Sequence, residues 1–223
     1  MTTRLFGQAI LKFACGLILV GCLLFIPAGT LDYWQGWLFM AILFIPMFVA
    51  GLVLMKRAPD LLEKRLNARE SQSSQALIIK LGGLMFIAGF IAAGLSARYG
   101  FLMFPDWVSW MGTVLFLASY ALYGEVLKEN RWLSRTVEVQ QGQKVVDTGL
   151  YGIVRHPMYM ATILLFLSMP LVLGSALSFL IFLPYPLLIA SRISNEEDVL
   201  EQGLDGYADY KHKVRYRIFP GIW

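Results

Sequence analysis

Hydrophobic positions along this chain fall into long unbroken runs rather than into stripes on otherwise polar segments. Four runs, 9–27, 34–55, 77–97 and 107–127, are each apolar over the length a bilayer-crossing helix needs, about 18 residues or more. A fifth run, 158–190, holds 33 residues. At about 1.5 Å per helical residue it is too long for one span and short for two spans plus a loop. Pro170, Gly174 and Ser175 break it in the middle, so it reads as a helical hairpin. The pattern predicts an all-α, polytopic integral membrane protein with a C-terminal hairpin and cytoplasmic cap segments. It has six spans, or five if the hairpin only dips into the bilayer.

The first run resembles a secretory signal in length, but "IPAGTLDYW" passes straight to an aromatic border without a small-residue cleavage site. A retained first helix is the expectation. Composition strengthens the membrane reading: 57% of residues are hydrophobic and only 15% charged, where a soluble domain carries roughly a quarter. Basic residues then set an orientation. Lys56, Arg57, Lys64, Arg65 and Arg69 follow the second run, Lys128, Arg131, Arg135, Lys144 and Arg155 the fourth, and Arg192, Lys211, Lys213, Arg215 and Arg217 the hairpin. The alternate connections hold only Arg98. The positive-inside rule puts both termini and segments 56–76, 128–157 and 191–223 in the cytoplasm. The expected location is the cell membrane, the inner one in a Gram-negative cell. The net charge of +4 follows from this asymmetry, so no nucleic-acid partner is implied; basic contacts to lipid headgroups are a secondary use.

Residues 1–127 read as a scaffold, and residues 128–223 as the region where chemistry could lie. The glycines of "GGLMFIAGFIAAG" (82–94) suit close helix packing in lipid. "KRAPDLLEKRLNARESQSSQ" (56–75) suggests a short amphipathic surface helix after Pro59 and then a polar loop. Cys15 and Cys22, seven residues apart on one helix, lie roughly 10 Å apart along its axis. That is beyond disulfide reach.

Familiar cofactor motifs are missing. No G-x-G-x-x-G or Walker loop occurs, and no G-x-S-x-G elbow. His156 and His212 are the sole histidines and neither has a nearby cysteine, so no metal site is expected. Attention falls on "GLYGIVRHPMYMA" (149–161), where Arg155, His156 and Tyr159 stand at a polar–apolar border. Pro157 fits a first helical position and disfavours helical geometry at His156 before it. His156 is therefore expected at the helix cap, beside free N–H groups that favour an anion. An interfacial anchor of snorkelling side chains is the alternative. The preceding stretch 136–157 alternates enough to suggest two short extended pieces around Gly142. In "SRISNEEDVLEQGLDGYADYKHKVRYRIFPGIW" (191–223), Arg192 and Glu196 share a helix face. They are expected level with His156 across the hairpin, where ionisable groups at the membrane border are functional candidates.

Taken together, "DTGLY" (147–151), "RHPMY" (155–159), "RISNEEDVL" (192–200) and "GYADYKHKVRYRIFP" (206–220) resemble the isoprenylcysteine carboxyl methyltransferase family. That family borders the phospholipid N-methyltransferases. The likeness covers roughly the last 85 residues, in order and spacing; "VRYRIFPGIW" is closer to the bacterial relatives, and "LDGY" departs from the eukaryotic pattern. The resemblance implies S-adenosylmethionine as methyl donor, in a cytoplasm-facing pocket. By position, its contacts would be Gln140, Gln143, Lys144, Val145, Val146, Tyr151, His156, Pro157, Met158, Tyr159 and Glu196. Arg192 falls at the substrate-side arginine, so Arg192 and Glu196 form the expected catalytic pair. The implied partner is a lipophilic acceptor entering from the bilayer: a carboxylate, a lipid amine or a thiol. A nicotinamide-dependent membrane reductase of sterol-reductase-like architecture is the rival enzyme class; the paired acids of R-x-x-x-E-E suit a cationic donor better than a phosphate-bearing cofactor.

Overall fold

The computed structural model describes residues 3–57, 59, 62–63, 66, 73–130, 132–133 and 139–223. Four long helices come first: α1 (Thr3–Ala28), α2 (Trp34–Arg57), α3 (Ser73–Tyr99) and α4 (Asp106–Glu129). They match the four apolar runs. A single turn of 3-10 helix (Gly149–Gly152) leads into α5 (Pro157–Val172), α6 (Ala176–Phe182), α7 (Tyr185–Gly203) and α8 (Tyr207–Lys213). Among the described residues there is no strand, so the fold is all-α. Of the surface helix expected after Pro59, only Pro59, Leu62, Glu63 and Leu66 are described, all helical. The remainder, with the polar loop up to residue 72, lies outside the described residues.

Among the described residues five elements are long and apolar enough to cross a membrane, α6 and α7 together forming the fifth as 176–203. α5, with 16 residues, is about 24 Å long and falls short of a typical hydrocarbon core of about 30 Å. The hairpin is therefore built from one short arm and one long arm bent at Leu183–Pro184. Side chains such as Ile26, Val114 and Leu187 are 70% or more exposed. Apolar surface on this scale belongs against lipid rather than water, and the chain is a multi-pass membrane protein.

Inside, Phe39, Phe116 and Phe182 are fully buried at the meeting of α2, α4 and α6. Two glycines allow the closest helix approaches. A Cβ at Gly112 of α4 would come within 2.7 Å of the Leu171 side chain on α5, and one at Gly94 of α3 within 2.4 Å of the Leu24 carbonyl on α1. Gly82 and Gly83 have open space beside them instead, so only part of the glycine-rich stretch serves packing.

The hairpin tip is Leu173–Ser175. Pro170 stays inside α5, and the turn falls four residues later, where Gly174 takes φ 69°. Ser175 caps α6 by accepting the Ser178 amide at 3.1 Å and donates to the Ser96 hydroxyl at 2.9 Å. The Tyr33 hydroxyl donates to the Leu173 carbonyl. Trp34, Trp37, Trp107 and Trp110 are exposed at this same end, as an interfacial aromatic belt would be. The polar segments gather at the opposite end.

Candidate active site

The site is assembled where the starts and ends of α5, α7 and α8 meet. Glu129, last in α4, accepts the Leu150 amide at 2.9 Å. Gly149 permits this: at φ 56° a Cβ there would overlap the Glu129 carboxylate. The 3-10 turn buries Tyr151 and delivers Val154, Arg155 and His156 to the head of α5. His156 is the N-cap residue and Pro157 the first helical residue, as the sequence predicts. The His156 ring does not cap the helix; it lies across the hairpin, 3.1 Å from Glu197.

Two consecutive acids on α7 divide the site, because neighbouring helical residues point roughly 100° apart. Half-buried Glu196 faces Tyr159, whose hydroxyl donates to it at 2.5 Å. The same hydroxyl accepts from Arg192 Nε at 2.9 Å. Tyr159 thus stands between the two residues expected to act as a pair, linking cation to acid in a chain that neither sequence stretch reveals alone. Ile163, Ile189 and Ile193 pack beneath Tyr159, so the chain sits on an apolar floor.

Glu197, 1% exposed, turns the other way. Arg155 Nε donates to it at 2.7 Å, Arg217 Nε at 2.9 Å, and His156 lies at 3.1 Å. A carboxylate so deeply buried is tolerable only with this density of partners. Arg155 spends its remaining reach on the Val214 and Arg215 carbonyls, at 2.7 and 2.8 Å. The Arg155 and His156 amides donate to the Tyr216 and Arg217 carbonyls. The "VRYRIFP" tail is thereby stapled to "VRHP", and Ile218 is buried with Ile163, Tyr185 and Ile189. Sequence reasoning missed this cluster. Arg155 stood out only as a border residue, and its partners lie 42 to 60 positions away. A cavity of about 280 Å³ opens beside it, walled by Arg155, Arg215, Arg217 and Trp223 among others.

Residues 139–148 cover the third side. Of the two extended pieces expected around Gly142, residues 136–138 lie outside the described residues, and residues 139–148 form a turn and irregular chain with no strand. Gln143 closes the turn on Gln140, and Gln140 Nε2 donates to the Trp132 carbonyl at 2.6 Å. Val139 and Val145 insert among Leu204, Tyr207, Tyr210 and Val214. Lys144 is exposed, while Gln143, Val146 and Met158 are half-buried. At the rim, the Lys213 ammonium, 2.8 Å from Asp147, holds that carboxyl below the usual carboxylate range. Burial pushes the Tyr151, Tyr207 and Tyr210 phenols well up, so all three stay protonated. The Tyr210 hydroxyl donates to the Tyr151 carbonyl at 2.7 Å.

The class this architecture defines is a multi-pass membrane protein with an ion-paired polar site at one end of its helices. Residues 110–202 match the model of the isoprenylcysteine carboxyl methyltransferase (ICMT) family. Over that region the chain is similar to the ICMT family, which supports a membrane methyltransferase of the isoprenylcysteine type. The match begins within α4, earlier than the motifs read from sequence, and ends before the tyrosine-rich tail. No curated protein matches the chain.

Proposed function

We propose that this chain transfers a methyl group from S-adenosylmethionine to the carboxylate of a lipophilic acceptor, with Glu196 on the donor side and Arg192 on the acceptor side. ICMT-family members typically use that donor. The observation that carries the reading is the Arg192–Tyr159–Glu196 chain on its apolar floor. The chemistry of the residues suits the donor: Glu196 offers a carboxylate to a cation, and the segment 139–146 with Tyr151 offers a covered, mixed polar and apolar wall. When bound, the donor supplies an already activated methyl group, so the protein's task is alignment in a water-poor site. Arg192 would orient the acceptor through its planar guanidinium. His156, Pro157 and Met158 would set the floor from which Tyr159 projects.

The fate of Glu197 favours a carboxylate acceptor. An amine or thiol must shed a proton, and the neighbouring bases are Glu196, Glu197 and His156. Glu197 and His156 are already engaged with each other, and Glu197 also with two guanidinium groups. A carboxylate needs no base.

Calorimetry of the purified protein in detergent should show S-adenosylmethionine and its demethylated product binding and NADPH failing to bind. Glu196→Ala should weaken donor binding about tenfold or more, as expected for a charge-assisted contact. Radiolabelled methyl transfer should then favour a prenylated carboxylate over amines and thiols. Binding of NADPH alone would sink the reading.

In this arrangement residues 128–223 carry the chemistry, on a scaffold formed by residues 1–127. The polar end faces the cytoplasm of a cell-membrane protein. A cysteine introduced at Asp32 is then expected to react with an impermeant thiol reagent added to intact cells, and one at Asp209 only after lysis. The reverse labelling would invert the topology.

A further inference from the structure

Tyr207 and Tyr210 lie one turn apart in α8, with rings 5.8 Å apart in one apolar cluster. Their hydroxyls differ. That of Tyr210 is satisfied by the Tyr151 carbonyl at 2.7 Å. That of Tyr207, whose residue is 4% exposed, is buried and has no hydrogen-bond partner among the described residues. An unpaired buried hydroxyl costs free energy, and in a native fold it calls for an explanation such as a functional role. We propose that the Tyr207 hydroxyl donates a hydrogen bond to the nucleoside half of the bound methyl donor. This rests on the methyltransferase reading above, and it concerns a residue beyond the stretch that matches the family.

Placement argues for the donor rather than the acceptor. Tyr207 belongs to the cluster that Val139 and Val145 pack against, and these two valines flank Gln140 and Gln143. The lipid-side cluster around Ile163 and Ile189 is a separate one. Charge narrows the choice further. Burial keeps the phenol protonated, and the Glu197 and Glu196 carboxylates add to that effect against Arg155, so the group has a hydrogen to give. Two carboxylates acting on the same spot discourage an anion there, which disfavours the donor's amino-acid carboxylate. What remains are neutral acceptors: ribose oxygens or adenine ring nitrogens. The loop over Tyr207 has no regular secondary structure, so a nucleoside can displace the Val139 and Val145 contacts without unwinding a helix.

Tyr207→Phe separates this role from a structural one, because the two give opposite signs. S-adenosylhomocysteine and 5′-methylthioadenosine, which lacks the amino-acid end, are titrated into wild type and variant, and the ligand-free proteins are melted. The variant is expected to lose on the order of tenfold in affinity for both ligands, equally. Its ligand-free melting point should stay level or rise, since an unsatisfied buried group has been removed. Unchanged affinities overturn the proposal. So does a lower melting point, which would mean the hydroxyl has a partner within the protein. A loss confined to S-adenosylhomocysteine would place the contact on the amino-acid end and overturn the nucleoside assignment. If the wild type binds neither ligand, the methyltransferase reading itself fails, and this inference with it.

Discussion

Glu197→Ala is expected to cost about 3–5 kcal/mol of stability, the range for breaking a buried ion pair from one side. The variant leaves the Arg155 guanidinium, whose side chain is 5% exposed, without its charge partner. Arg217, at 27% side-chain exposure, recovers part of its loss in water. Unfolding in detergent, followed by circular dichroism against Asp198→Ala as an exposed neighbour, measures the difference. Limited trypsin digestion adds a local readout: with the staple broken, cleavage after Arg215 and Arg217 should accelerate. A loss below about 1 kcal/mol, with the tail as resistant as before, would mean that Glu197 does not hold the two segments together.

Arg192→Lys is expected to leave donor affinity within about threefold while turnover falls roughly 10- to 100-fold, the scale on which small misplacements of reacting groups are felt. Lysine keeps the charge but loses Nε and the planar fork, and with them the bond to Tyr159 and the pairing geometry for a carboxylate. Donor titration and methyl transfer measured on one preparation resolve the two effects. A large loss of donor affinity in the folded variant would place Arg192 on the donor side. Full turnover would remove it from acceptor recognition.

Much of the fold was legible because a bilayer imposes a length test that sequence can meet or fail, and the four long runs meet it. Gly174 and Ser175 announced the hairpin turn, and Pro157 announced the start of α5. The segment around Gly142 alternates for a physical reason. Val139 and Val145 alternate with polar residues because one side of a loop faces the α8 cluster. A strand also needs a backbone partner, and here Gln140 turns to Gln143 and Trp132 instead. Arg192 and Glu196 could be matched by spacing along one helix. Tyr159 between them, and Arg155 and Arg217 around Glu197, depend on how α5, α7 and the tail cross in space, which no local spacing encodes.

The staple between "VRHP" and "VRYRIFP" also bears on how the protein is made. Chains emerge from their N-terminal side, so α1 to α7 can settle into lipid before the tail exists. Glu197 must wait for Arg217, twenty residues behind it, and Arg155 waits longer, for the carbonyls of Val214 and Arg215, 59 and 60 residues on. The membrane-embedded body and the ion-paired site are thus completed at different times, the second closing over the first like a clasp. A nascent chain stopped at α7 would have the Arg155–Glu197 pair and still lack Arg217 and the tail carbonyls that complete its surroundings.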